Sequence, residues 1–474
     1  MKNHFCNQRV EALSRRDALR SLSAGFGYLA FAGLAAAQES KPQSLLAPRK
    51  PHAQPKAKRV IFLCMRGGPS HVDTFDYKPR LKTDHGRASN YGSPWHASPW
   101  DFKQHGKSGL WISDLFPNVA KQADELCLLR GMHCDQPSHA QAMLQMHTGT
   151  FQFVRPSMGA WTLYGLGTEN QNLPGFISIN PPTGTGGAQN YGNAFLPSAY
   201  QGTKFSVQDS SQRNRRIDRM RRGEANPNGI NNAVNELLSK DRQRQQLDLI
   251  GALNREKLAH DAHNPLVEGA IENFELAFRM QDAVPKVMNL DGETEETLSL
   301  YGINEDPTDG FGRQCLLARR FAEAGVRFIE LSHGSWDQHS QIQTALADNC
   351  SETDKPIAGL IADLKRRDML KDTLIVWGGE FGRTPYSDSG TGRDHNHKGY
   401  TMWMAGGGVK GGFSYGATDE HGYEAVENKM HVHDWHATIL HLLGLDHERL
   451  TFRYAGREMR LTDVAGSVAL DIIA

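Results

Sequence analysis

Two short stretches concentrate groups able to hold a metal ion or an oxyanion. "SHGSWDQHS" carries His333, Asp337 and His339, and "WGGEFGRTPYSDSGTGRDHNHKGY", from Trp377 to Tyr400, carries Glu380, Arg383, Arg393, Asp394, His395 and His397. Imidazole with carboxylate suits zinc, manganese or iron, whereas calcium prefers an all-oxygen shell. Asp337, His339, Glu380 and His395 are therefore candidate ligands of a divalent cation. Arg66, Arg383 and Arg393 are candidate partners of a bound anion. Neither stretch makes a site alone, so the surrounding elements must bring them together.

Both stretches follow apolar runs, "VRFIEL" (326–331) and "TLIVWGG" (373–379). Comparable runs are "RVIFLCM" (59–65), "LCLLRGM" (126–132), "GFISI" (175–179) and "TMWMAGG" (401–407). Such nearly continuous runs predict strands buried on both faces. Helical spacing separates several of them, over 138–148, 158–166, 312–325, 341–368 and 433–444. The alternation predicts an α/β fold with a doubly wound, mainly parallel sheet and helices on both faces. Ligands then collect at the carboxyl ends of the strands.

The segments after the other runs are read the same way. "RGGPSHVDTFDYKP" offers Arg66, His71, Asp73 and Asp76, either facing a ligand or closing a turn through Ser70 and Asp73. "HCDQPSHAQAMLQMHTG" places Ser138 and His139 in the first turn of a helix. Amide groups and the helix dipole there favour an anion and can activate a nucleophile; capping by Asp135 or Ser138 is the alternative. In "HVHDWHATILHLLGLDHERL" Asp434 is a candidate N-cap, and Trp435, Ile439, Leu442 and Leu443 form a buried stripe. Its histidines read as structural or surface groups, with His433 the one placed to do more. Residues of about 205–305 are charged and helical in spacing, and predict a helical insertion on the sheet domain. Within it Arg213, Arg215, Arg216, Arg219, Arg221 and Arg222 read as a solvated face.

Bulk properties exclude several classes. The 53 basic and 53 acidic residues cancel, which gives no basis for nucleic-acid binding. Residues 1–37 hold Arg15-Arg16, then a weakly apolar run and Ala35-Ala36-Ala37. This is the order of a twin-arginine export signal, with the export machinery as partner, a periplasmic or secreted product and no stable membrane span after processing. Residues 38–57 read as a linker, and 58–474 as the folded domain. Of the 6 cysteines, Cys6 lies in the signal; Cys64, Cys127, Cys134, Cys315 and Cys350 are scattered, without a CxxC pair. That argues against a disulfide framework and a thiolate zinc site, and Cys64 reads as plain core.

The motifs "GGPSHVDTFDYKP", "HTGTF", "LPGFISI", "LLARRFAEAGVRFIEL", "WDQH", "GGEFGRTP", "GRDHNHKGYTMWMAGGGVKGG" and "LHLLGLDHERLTFRYAGREMRLTD" resemble domain of unknown function 1501. The resemblance runs from about Arg59 to the C-terminus and implies a place in the alkaline phosphatase and sulfatase superfamily. It implies metal ions at strand ends and a nucleophile at a helix start that attacks a phosphate or sulfate ester, including esters on polysaccharides. By spacing to Gly149 the nucleophile slot falls on His139, with Ser138 adjacent. The chain also departs from the superfamily pattern. "MRGGPS" stands where an acid follows the first strand, Glu380-Phe381 stands for Asp-His or Asp-Asn, and no "CxPSR" segment is present. The resemblance thus implies one metal site and a metal-bound-water route, with His139 as nucleophile or general base. The alternative is a non-catalytic, sulfatase-like protein that binds anionic glycans or a cell-envelope partner.

Overall fold

The computed structural model describes residues 44–207, 238–260, 265–388 and 390–474. The export signal (1–37), the first linker residues and the arginine cluster at 213–222 lie outside the described residues. The apolar runs form strands β1 (Arg59–Met65), β2 (Leu126–His133), β3 (Phe176–Ile179), β4 (Thr203–Phe205), β5 (Phe328–His333), β6 (Thr373–Gly378) and β9 (Tyr400–Ala405). Between the last two lies a hairpin of β7 (Gly382–Ser387) and β8 (Arg393–Asn396). Short strands β10 (Phe413–Tyr415) and β11 (Met430–His431) both pair with β2.

Among the described residues, nine strands form the main sheet, in the order β10-β2-β9-β6-β1-β5-β3-β4 with β11 off this path. β1 is parallel to both neighbours, with Cys64 opposite Ser332 on β5 and Gly378 on β6. β9 instead runs antiparallel to β6 and β2. The reason is connectivity. The chain leaves β6 into the β7–β8 hairpin, which returns it to the same end of the sheet without the long crossover that a parallel neighbour requires.

Helices cover both faces. The longer ones are α1 (His139–Thr148), α2 (Met158–Leu166), α3 (Lys240–His260), α4 (Pro265–Met288), α5 (Asp309–Glu323), α6 (Ile342–Arg366) and α7 (Val432–Leu442). Phe62 meets His147 of α1 and Trp435 of α7 at ring centroids of 5.8 and 5.7 Å. His333, displaced by an odd number of residues from Glu330 (the partner of Phe62), meets Phe311 of α5 at 5.3 Å on the opposite face. The predicted insertion holds α3 and α4, joined by Arg244 and Glu275 at 2.6 Å, and α4 buries Leu276, Met280 and Val284 in the common core. Residues 45–57, read as part of the linker, lie against the domain. Leu46 and Ala57 are each 1% exposed, and Arg49 N–H donates to the Leu166 carbonyl at 2.8 Å. The five cysteines of the domain are unpaired and buried.

Candidate metal centre

The carboxyl ends of β5 and β6, the β7–β8 hairpin and the start of α1 meet at one place. Glu380 follows β6 and is buried; both its oxygens accept from Gly67 N–H, at 3.0 and 3.1 Å, and Oε1 lies 2.7 Å from His139 Nδ1. Gly67 cannot be replaced there, because its φ is +114° and a Cβ would stand 2.6 Å from Asp337 N. Asp337 leaves the loop after β5. Its Oδ2 lies 3.1 Å from His139 Nε2, and its Oδ1 lies 2.6 Å from Arg383, 3.1 Å from His339 Nε2 and 3.3 Å from His395 Nε2. Phe381 packs at 4.8 Å from the His139 ring and 4.6 Å from the His395 ring.

The protons on two of the imidazoles follow from their partners. His395 Nδ1 lies 2.6 Å from the Pro137 carbonyl, an acceptor only, so this nitrogen carries the hydrogen. His339 Nδ1 likewise donates to Asp388 Oδ2 at 2.9 Å. In the neutral rings each Nε2 is then a lone pair. The two Nε2 atoms face each other at 2.9 Å, with Asp337 Oδ1 beside them. Three electron-rich atoms at such distances repel unless a proton or a metal cation stands among them. His139, Asp337 and His395, and separately His339, Asp394 and His395, each present ligand atoms within 4.8 Å of one another.

The surrounding carboxylates set His139 apart as the ring that holds its protons. Burial lowers the His139 pKa, but hydrogen bonds to Asp337 and Glu380 outweigh it and raise it to about 9. Burial pushes Asp337 upward, yet His139, His395 and Arg383 hold its carboxyl well below the usual carboxylate range.

The match to known proteins is now informative. Residues 57–473 fit the family described as "Protein of unknown function (DUF1501)". The chain belongs to that family. Among solved structures, the DUF1501 chain is similar to the PsFucS1 sulfatase from Pseudoalteromonas sp., with 13% identity over 91% of this chain and 72% of that one and a TM-score of 0.32. It is similar to the lipoteichoic acid synthase LtaP from Listeria monocytogenes, with 10% identity over 88% and 78% and a TM-score of 0.37. Alkaline phosphatase from the Antarctic bacterium TAB5 gives 12% identity over 74% and 92% and a TM-score of 0.31. The curated proteins give no match.

Within the DUF1501 site, Asp337, His339 and His395 meet beside His139, whereas Glu380, expected as a fourth ligand, is turned to the Gly67 amide and His139 Nδ1, and two of the arginines do not turn outward. Arg383 is fully buried and donates to the carbonyls of Gly68 at 2.9 Å, Arg393 at 3.2 Å, Trp336 at 3.3 Å and Gly67, besides Asp337. Arg393 is fully buried and bidentate to Asp73, at 2.6 and 3.0 Å. The expectation that these two bind an anion is corrected: both guanidinium groups are sealed from solvent at 0% exposure and aimed at internal carbonyls and carboxylates. Arg66 is half-buried with its guanidinium against Gly334, and Ser138 is exposed at the α1 N-cap without a capping bond.

The remaining candidates are held elsewhere. His71 bonds the Gly422 carbonyl at 2.7 Å, Asp76 pairs with Lys78 at 3.2 Å, and His333 pairs with Glu352 at 2.7 Å. His433 bonds the Gly149 carbonyl at 2.7 Å. The cap of α7 is His431, and Asp434 serves as the reciprocal member of a capping box. Sequence reading passed over Asp388, because nothing near it in the chain marks it; its partner His339 is 49 residues away.

Proposed function

We propose that this DUF1501 protein is an exported, metal-dependent hydrolase of phosphate or sulfate esters, including those carried on polysaccharides. The observation that carries this reading is the approach of His339 Nε2 and His395 Nε2 to 2.9 Å beside Asp337, with both Nδ1 protons already committed. The donors fit a zinc, manganese or iron ion, being imidazoles and a carboxylate whose outer atoms are held by Pro137, Asp388 and Arg383. A bound divalent cation supplies Lewis-acid polarisation of an ester oxygen and acidifies water.

Asp337, His339 and His395 would hold the ion, and His139 would complete the set or serve as general base once its Nε2 proton has left. Glu380 orients His139 through Nδ1. Arg383 keeps Asp337 ionised and aimed, which makes it a positioning residue. Arg66 is the cation left to meet the ester's negative charge. Export rests on the N-terminal residue pattern. Among the described residues no helix is long and apolar enough to cross a membrane.

The test is elemental analysis of the exported protein, purified without a chelating tag, followed by a panel of phosphate and sulfate esters. A bound divalent cation that is lost in Asp337→Ala, with ester hydrolysis lost alongside it, is expected. A folded, metal-free wild type overturns the reading. A second reading, a non-catalytic protein that binds sulfated or phosphorylated glycans, is favoured by one observation. The nucleophile slot holds His139 with its ring between two carboxylates, and Ser138 beside it makes no side-chain capping bond. Metal binding and glycan binding without turnover selects that reading.

A further inference from the structure

Central strands of a doubly covered sheet should be apolar, and β1 and β5 are so on the face toward α5 apart from the terminal His333. On the face toward α1 they are not. Glu330, 1% exposed, stands between Phe62 on β1 and Ser178 on β3, and Cys64 stands opposite Ser332. Glu330 Oε1 and Oε2, His147 Nε2, Ser178 Oγ and Ser332 Oγ are all buried without a hydrogen-bond partner. Unsatisfied buried polar atoms are rare in folded proteins and individually expensive. Four on one sheet face and a fifth on the helix packed over it call for a common partner.

His147 shows what that partner is. Its Nδ1 lies 2.8 Å from the Met143 carbonyl and so carries the hydrogen. A ligand imidazole ordinarily donates its second nitrogen to a backbone carbonyl in this way. Nε2 then points its lone pair toward Glu330 Oε1, 3.3 Å away but off the line of a hydrogen bond. Cys64 Sγ, His147 Nε2 and a Glu330 oxygen lie within 4.8 Å of one another, all buried. A proton between His147 and Glu330 would serve only two of these atoms and leave the second carboxylate oxygen bare.

We infer that Cys64, His147 and Glu330 form a second divalent-cation site, buried beneath the open one and suited to zinc. A thiolate and a carboxylate carry two negative charges, which a divalent cation cancels exactly where the interior can least tolerate a net charge. Thiolate, imidazole and carboxylate are all ligands that zinc accepts, at about 2.0–2.3 Å. By register Ser178 and Ser332 share this face and are available to the remaining position. Cys64, which the sequence marks as plain core, is thereby a ligand. The site pins the last turn of α1 to β1 and β5 and so fixes the helix whose first residue is His139. The assignment is independent of the proposed hydrolase activity.

The thiolate makes the test specific. Zinc-edge X-ray absorption on the wild-type protein should show a sulfur neighbour at about 2.3 Å; a shell of nitrogen and oxygen alone overturns the assignment without any mutation. In cobalt-substituted protein the thiolate-to-metal absorption band should survive Asp337→Ala, which empties the open site. It should also survive Cys134→Ala, the control for the other cysteine near Glu380. It should disappear in Cys64→Ala and His147→Ala, with one ion fewer per chain. A band that persists in Cys64→Ala, or a metal content unchanged by it, overturns the inference and leaves the open site untouched.

Discussion

Arg383 and Arg393 each face an aspartate at 2.6 Å, yet the two pairs do opposite work. Both arginines are fully buried. Asp73, the partner of Arg393, is sealed with it, whereas Asp337, the partner of Arg383, has a side chain 45% exposed. The sealed pair saturates itself: Asp73 takes both guanidinium bonds and the Ser70 hydroxyl at 2.5 Å. The open pair leaves Asp337 with lone pairs directed at three imidazoles. An arginine that grips from inside thus makes either a strut or a poised ligand, and the exposure of the carboxylate decides which.

The strongest way to break this contrast is Asp73→Ala, which strands the Arg393 charge in the interior. Losing one partner of a buried pair costs roughly 3–5 kcal/mol. A fall of that size in unfolding free energy is expected in denaturant titration, and replacing Asp73 and Arg393 together by apolar residues should restore much of it. A loss below about 1 kcal/mol, the range of an exposed pair, would show that water reaches Asp73.

A sealed group with no counter-charge should behave differently from either pair. His436 is buried and bonds the Met146 carbonyl at 2.7 Å; burial, then the nearby His433, lowers its pKa from 6.5 to about 3. Below pH 6.5 the unfolded chain binds a proton that the folded chain refuses, so stability is full above that value and is lost as pH falls toward about 3. The slope is at most about 1.4 kcal/mol per pH unit, or roughly 3 kcal/mol over two to three units. Unfolding free energy measured against pH should show this acid limb, and His436→Leu should flatten it.

The open pair is tested next. Asp337→Asn removes the charge but leaves Arg383 its backbone acceptors. Stability should change by less than about 1 kcal/mol, while metal affinity, read by equilibrium dialysis, falls on the order of 100-fold. Equal losses of both would erase the distinction between strut and ligand.

Much of this arrangement is legible in the chain, for physical reasons. β1, β5 and β6 are covered on both faces, so their runs are mainly apolar, and whatever follows them stands at the carboxyl end of the sheet. That is enough to bring Asp337, His339 and His395 to one end of the sheet, with Glu380 behind His139. The direction of an arginine is another matter. Arg383 and Arg393 lie in a polar loop by composition, and only the folding of the β7–β8 hairpin over Gly67 and Asp73 turns them inward. The antiparallel course of β9 is equally hidden, because an apolar run has no polarity. Cys64, His147 and Glu330 are each unremarkable among apolar neighbours; the register of β1 against β5 and the last turn of α1 make them a group.

The smallest effect separates a ligand from a bystander. His339 and Asp388 are each 40% exposed, and an exposed pair contributes about 1 kcal/mol or less to stability. Asp388→Ala should therefore leave the unfolding transition of the metal-free protein almost where it was. Yet Asp388 fixes the tautomer of His339, keeping the hydrogen on Nδ1 and the lone pair on Nε2. If that lone pair is a metal ligand, losing its carboxylate partner weakens the ion by roughly 10-fold, at the lower end of what such outer partners contribute. Metal titration of Asp388→Ala against wild type measures this directly. A 10-fold loss with unchanged stability puts His339 in the coordination shell. An unchanged affinity would confine the ion to His139, Asp337 and His395, the other group of converging ligand atoms, and leave His339 and Asp388 as a rim pair on the solvent side.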